Sequence, residues 1–209
     1  HPFESTLSSQ LSTNVIHSGE PPGLGYERLG QHFTPSLLLW APLFALIGGA
    51  ALPLVQVGLI VSAGLVLHRL ALQLVPARTA NWLTYGFYGG NALIGPTLGN
   101  FTDLCQLPLA VFALMLGLQR RMGWLILSAA VLIPLIREDT GIMLIGIGLW
   151  LLLREPKRWP IAIALIISGA GWMVLVTNAL MPLFSDDNSK RFMVENFGQY
   201  LDADPSEGA

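Results

Sequence analysis

The chain has 209 residues, of which 53 % are hydrophobic and only 11 % charged, less than half the roughly 25 % charge of a soluble domain. That balance excludes an ordinary soluble globule, whose helices keep one polar face. A net charge of −2 without any basic run interleaved with aromatics excludes a nucleic-acid partner, and the single cysteine, Cys105, excludes an internal disulfide or a cysteine-built zinc site.

Residues 1–31 are polar and turn-rich, with the run Pro21-Pro22-Gly23-Leu24-Gly25. They carry neither an initiating methionine nor a signal-peptide pattern, and the chain reads as a piece of a longer protein. From Leu29 to Leu67 there is no Asp, Glu, Lys or Arg. Gly48-Gly49 and Pro53 are expected to break this run into a short apolar piece, Pro35 to Ile47, and a spanning piece, Leu52 to Val75. The apolar runs that follow are Ala80 to Leu98, Leu104 to Leu118, Met122 to Ile136, Thr140 to Leu153 and Pro160 to Phe184. A crossing takes about 20 apolar residues. Three of the runs are shorter, about 22 Å at 1.5 Å per residue against a hydrocarbon core of about 30 Å, which points to a thinned, hydrated centre. Gly89, Gly90, Asn91 and Pro96 interrupt the run Ala80 to Leu98. Polar residues return after 184, and 185–209 reads as a loop leading onward.

The basic residues are sorted. Arg69 with Arg78, Arg120 with Arg121, and Arg154 with Lys157 and Arg158 form three clusters, each two apolar stretches from the next. Only Glu155 among the carboxylates lies with them. Lys and Arg are retained on the cytoplasmic side during insertion, so the clusters set the orientation of the chain in its membrane. The fold expected is an all-α polytopic transmembrane helix bundle of about six spans plus one short interfacial or re-entrant helix at Pro35 to Ile47. Residues 1–35 form a non-cytoplasmic loop, 36–184 the transmembrane domain and 185–209 a non-cytoplasmic tail. Trp40, Trp82, Trp124, Trp150 and Trp159, near predicted helix ends, suit an aromatic belt. His68, beside Arg69, suits the interface.

Three polar spots fall on the non-cytoplasmic face: Gly30-Gln31-His32-Phe33-Thr34-Pro35, Gly99-Asn100-Phe101-Thr102-Asp103, and Arg137-Glu138-Asp139. Ionisable groups so placed are costly and point to function. Each also has a plain explanation. His32 fits an interfacial ring, Asp103 fits the start of a helix where an acid favours the dipole, and Arg137 fits a local ion pair closing a hairpin. Asn100-Phe101-Thr102 is a glycosylation sequon only in a glycosylating pathway. No phosphate loop, dinucleotide fingerprint, nucleophile elbow or metal-ligand spacing occurs.

These spots carry a resemblance. Gln31-His32-Phe33-Thr34-Pro35-Ser36-Leu37-Leu38-Leu39 followed by Ala41-Pro42-Leu43, with Arg137-Glu138-Asp139 further on and Phe197-Gly198-Gln199-Tyr200-Leu201 in the tail, resembles a prokaryotic membrane family catalogued as domain of unknown function 2079. That family shows an Asp-His-Phe-Ser-Pro-like, a Phe-Asp-Phe-His-like and a Lys-Glu-Asp segment. Here Gly99-Asn100-Phe101-Thr102 stands where the second would be, with Asp103 as a substitute acid. The family is similar in turn to C-type glycosyltransferases, which transfer a sugar from a polyprenyl-phosphate donor on the non-cytoplasmic face.

The resemblance implies membrane lipid, with a polyprenyl-phosphate sugar, as partner. It makes Glu138, Asp139 and Asp103 the catalytic candidates and Arg137, His32 and Asn100 the substrate-binding ones. A carboxylate would serve as base for the acceptor and a cation would stabilise the departing phosphate. The cofactor stays open, a divalent metal being compatible with that chemistry. The alternatives are a transporter or channel, with polar residues running through the mid-membrane on broken helices, and a non-catalytic membrane assembly subunit with scattered charges.

Overall fold

The computed structural model describes residues 32–90, 93–94 and 101–183. Among these every regular element is helical. The seven α-helices are α1 (Ala41–Ile47), α2 (Ala51–Ala71), α3 (Ala77–Tyr88), α4 (Leu107–Arg120), α5 (Gly123–Ile136), α6 (Gly141–Arg154) and α7 (Trp159–Leu175). Short 3-10 turns at Pro35–Trp40, Asp103–Gln106, Glu138–Thr140 and Pro156–Arg158 connect or precede them. The chain divides into two compact units, Thr34–Trp172 on one hand, and His1–Phe33 with Met173–Ala209 on the other. In the second, Val176–Leu180 forms a π-turn in which the Thr177 hydroxyl donates to the Met173 carbonyl at 2.7 Å and the Asn178 amide to that of Val174 at 2.9 Å.

Local chemistry sets the boundaries in the larger unit. Helix α1 stops at Ile47 because Gly48 takes φ 64°, a conformation open to glycine at little cost. Two stretches, Pro35–Ala71 and Pro156–Leu183, are long and apolar enough to cross a membrane, and Gly123–Ile136 is apolar but shorter. Pro76, which cannot donate a backbone hydrogen bond, separates α2 from α3. The run Ala80 to Leu98 is not one helix, since α3 ends at Tyr88, with Gly89 as its cap. Helices α4, α5 and α6 have 14 residues each, about 21 Å.

Two hydrogen bonds tie the α2–α3 hairpin together. Tyr88 donates from its hydroxyl to the Val61 carbonyl at 2.7 Å, and the Thr84 hydroxyl lies 3.3 Å from His68 Nδ1 while donating to the Ala80 carbonyl at 2.9 Å. His68 thus joins two helices rather than merely facing an interface. Helix α2 also packs along α4, and the Gln56 side chain near its start reaches the backbone of Thr102 just before α4. The two helices therefore run in the same direction.

Helix α4 turns into α5 through Arg121, which adopts φ 56°. The Met122 amide bonds the Gly117 carbonyl at 2.9 Å and the Arg121 amide approaches that of Leu118 at 3.4 Å, the paired arrangement of a Schellman cap. Arg158 reaches the same Leu118 carbonyl from the Pro156–Arg158 turn, at 2.9 Å, and pairs with Glu155 at 3.3 Å. The turns carrying Arg120-Arg121 and Lys157-Arg158 therefore meet at one end of the unit.

The core is formed by α4 to α7 through Ala110, Leu114 and Leu118, Ala129, Ile133 and Ile136, Leu144 and Leu151, and Ala162 and Leu165. Helices α6 and α7 approach closely through glycine: a Cβ at Gly148 would sit 2.7 Å from the Ala162 carbonyl, and one at Gly169 would meet the Gly141 carbonyl. Small residues at such crossings are what membrane helices use to bring backbones together. The outer faces are as apolar as the core. Leu54, Leu65, Trp82, Leu127, Leu153 and Ile167 are all exposed, a surface suited to lipid rather than water.

Candidate functional site

The polar residues of the larger unit gather at the end opposite the Arg121–Arg158 junction. The Asp103–Gln106 turn precedes α4, and the Glu138–Thr140 turn follows α5, the antiparallel partner of α4. Both turns pack against α5, as does the Pro35–Trp40 turn.

Gln106, 2 % exposed, ties the first and second polar segments together. Its amide nitrogen donates to the Ser36 hydroxyl at 2.8 Å and to the Asp103 carbonyl at 3.2 Å, and its oxygen accepts from the Trp40 indole at 3.1 Å. Gln56 adds a fourth strand to this net by accepting from the Thr102 amide at 2.9 Å. Thr34, Ser36 and Gln56 are as buried as Gln106. Buried polar groups need partners, and an amide can supply donor and acceptor at once.

Asp103 lies in this nest, 8 % exposed, and its Oδ2 is buried without a hydrogen-bond partner. The acid sits in the first turn of its short helix, but no side chain caps that turn. The helix-dipole explanation for Asp103 therefore holds in its placement, without a capping hydrogen bond. A buried carboxylate oxygen with nothing to bind costs free energy and is available to a proton or an incoming donor.

The third spot is organised by Arg137, whose extended backbone ends α5. Its Nε lies 3.3 Å from an Asp139 oxygen and 3.7 Å from a Glu138 oxygen. Glu138 is largely buried, while Asp139 is more than half exposed. Thr140, buried, donates to the Ile133 carbonyl and lies 2.7 Å from that of Arg137, satisfying the carbonyls that a helix end leaves open. The hairpin-closing ion pair expected from Arg137-Glu138-Asp139 is present.

Of the six residues singled out from the sequence, Arg137, Glu138 and Asp139 are in direct contact, and Asp103 occupies the turn beside the helix that bears them. His32 is half-buried and belongs to the other compact unit. Asn100 lies outside the described residues, as do 1–31, 95–99 and 184–209. Sequence reasoning missed Ser36, Gln56 and Gln106, and assigned Trp40 to a lipid interface although its indole is bonded to Gln106. The signal was available. A lone glutamine between two valines, Val55-Gln56-Val57, or beside a buried cysteine, Cys105-Gln106, is a polar group in apolar surroundings that must bond across helices.

Among the described residues no group of three or more His, Cys, Asp or Glu could hold a metal ion. Glu138 and Asp139 pair with Arg137, so the described residues assemble no donor set for a divalent cation.

No curated protein and no solved structure matches the chain. A family match does extend over residues 1–208, to the family described as "Predicted membrane protein (DUF2079)". With its apolar exterior, its two helical stretches of spanning length and this match across nearly its whole extent, the chain belongs to that membrane-protein family.

Proposed function

We propose that the chain is the membrane part of a C-type glycosyltransferase-like enzyme that moves a sugar from a polyprenyl-phosphate donor to an acceptor hydroxyl. The observation that carries this reading is Asp103, a buried carboxylate with one unpartnered oxygen, at the same end of the bundle as Arg137-Glu138-Asp139. In this reading about six helices cross a prokaryotic plasma membrane, with the basic turns in the cytoplasm. Residues 1–35 and 185–209 lie on the other side, and Pro35–Ile47 lies along the surface or re-enters.

The acceptor hydroxyl gives its proton to a carboxylate as its oxygen bonds to the sugar carbon, and the bond from that carbon to the phosphate oxygen breaks. Asp103 is the better base, since Glu138 and Asp139 are already held by a cation. Arg137 receives the negative charge that develops on the leaving phosphate. For His32 and Asn100 a donor-binding role is what the family resemblance implies. No step runs through a metal.

The test is transfer from labelled polyprenyl-phosphate sugars in membranes holding the full-length protein. Asp103→Asn is expected to lower the rate by about 10²–10⁴-fold, with the protein still folded. Rates within about twofold of wild type for Asp103→Asn, Glu138→Gln and Asp139→Asn alike would sink the enzyme reading. One observation supports a second reading, a non-catalytic assembly subunit: the Arg137 ion pairs are with its own neighbours in sequence. That reading predicts that all three variants change stability and none changes transfer.

A further inference from the structure

An apolar groove of about 560 Å3 runs between α5 and α7 on the outside of the larger unit. Its walls are two parallel ridges: Gly123, Leu127 and Val131 on α5, and Pro160, Ala164 and Ser168 on α7. Each ridge advances by four residues per step, so each covers about 12 Å along its helix, close to the half-thickness of a hydrocarbon core of about 30 Å. Ser168 is the one hydroxyl in the walls, and it donates to its own helix, to the Leu165 carbonyl at 3.0 Å. Nothing in the groove asks for a polar occupant. Its volume falls within the roughly 300–1,000 Å3 usual for small-molecule sites.

The mouth is different. Gly123 and Pro160, at the same end of their ridges, each follow a basic turn: Arg120-Arg121 precedes Gly123 by two residues, and Lys157-Arg158 precedes Pro160 likewise. The shared Leu118 carbonyl holds these turns together, accepting from both Arg158 and the Arg121 backbone. Arg158 is engaged there and with Glu155, the one acid at the mouth, while Arg120, Arg121 and Lys157 are exposed. Trp124 and Trp159, both exposed, flank the opening one residue inside and one outside it, where indoles settle at headgroup level.

We propose that this groove is a binding site for an anionic diacyl phospholipid of the leaflet at the basic end, one acyl chain lying between α5 and α7 and the phosphate held by Arg120, Arg121 and Lys157. The depth matches one leaflet, the walls match a hydrocarbon chain, and the excess positive charge at the mouth matches an acidic headgroup and not a zwitterionic one. The site lies at the opposite end of the unit from Asp103 and does not depend on the glycosyl-transfer reading.

The experiment is native mass spectrometry of the chain purified in a neutral detergent, offered phosphatidylglycerol and phosphatidylcholine with the same acyl chains. Wild type is expected to retain phosphatidylglycerol about tenfold better. Arg121→Gln with Lys157→Gln removes that preference while both lipids still bind, and Ala164→Phe, which fills the groove, removes retention of both. Equal retention of the two lipids by wild type, or undiminished retention by Ala164→Phe, overturns the proposal. So does displacement of phosphatidylglycerol by equimolar polyprenyl phosphate, or a lipid-free dimer seated on this face. Where Ala164→Phe fails to fold, wild type offered dibutyryl and dioleoyl phosphatidylglycerol decides: only the long-chain lipid is retained if the groove holds a chain, and equal retention refutes it.

Discussion

Replacing Gln106 by Leu tests whether the polar nest holds the bundle end together. Leucine nearly conserves volume, so the change removes hydrogen bonds without opening a cavity. Three are lost: to Ser36 at 2.8 Å, to the Asp103 carbonyl at 3.2 Å and from Trp40 at 3.1 Å. Polar contacts between membrane helices average about 0.6 kcal/mol and reach about 1.7 kcal/mol, so the three together predict a loss of about 2 kcal/mol. The Ser36 hydroxyl, 2 % exposed, has no water to turn to, which places its bond toward the upper part of that range. Unfolding in mixed micelles, followed by far-ultraviolet circular dichroism because Trp40 is itself perturbed, measures the loss. A double-mutant cycle with Ser36→Ala isolates the single bond, with an expected coupling of about 0.6–1.7 kcal/mol. Independent sites add to within about 0.3–0.5 kcal/mol. Strict additivity of Gln106→Leu and Ser36→Ala would show that the contact contributes nothing, and the network argument would be wrong.

Three further outcomes are expected in the same unfolding assay or in proteolysis. Gly148→Ala and Gly169→Ala, whose added Cβ would press on the Ala162 carbonyl or on the Gly141 carbonyl and Leu144, should each cost about 1–3 kcal/mol. Gly171→Ala, with open space at its Cβ, should instead gain up to about 1 kcal/mol, and equal effects at all three would discredit the close α6–α7 crossing. Arg121→Gly relieves a left-handed conformation and should stabilise the chain by about 1 kcal/mol in neutral detergent; a loss of stability there would contradict the cap geometry. Arg158→Gln gives up the bond to the Leu118 carbonyl and should cost about 1 kcal/mol, while speeding tryptic cleavage at Lys157. Unchanged cleavage would mean the turn is held by other contacts.

Charge and backbone chemistry made much of the fold legible. Arg120-Arg121 and Lys157-Arg158 do share an end, because like-signed groups excluded from the apolar interior leave few other places for helix turns to go. Gly48 ended a helix where its backbone freedom allows it. Gly89 capped a helix where its place in the run Ala80 to Leu98 suggested an interruption, but exact ends were less readable: α2 stops at Ala71, short of the expected Val75, since apolarity reports burial or lipid contact and not hydrogen bonding. The candidate site was half legible. Arg137, Glu138 and Asp139 announce themselves by charge, and Asp103 by its place beside an apolar run. Ser36, Gln56 and Gln106 are neutral, lie far apart in the chain and meet only in three dimensions, so only their isolation among apolar neighbours could mark them.

The carbonyl of Leu118 has a consequence for how the chain assembles in time. Its firm partner, Arg158, lies 40 residues further along, and at about 5–20 residues per second that residue is made roughly 2–8 s later. The α4–α5 hairpin is therefore complete, and closed by its own Schellman cap through the Arg121 amide, while the second lone pair of this carbonyl still waits. Arrival of the Pro156–Arg158 turn then latches the second hairpin to the first. Assembly of this half of the protein acquires a direction from first hairpin to second, and a chain stalled between them would present an unlatched acceptor to quality-control machinery.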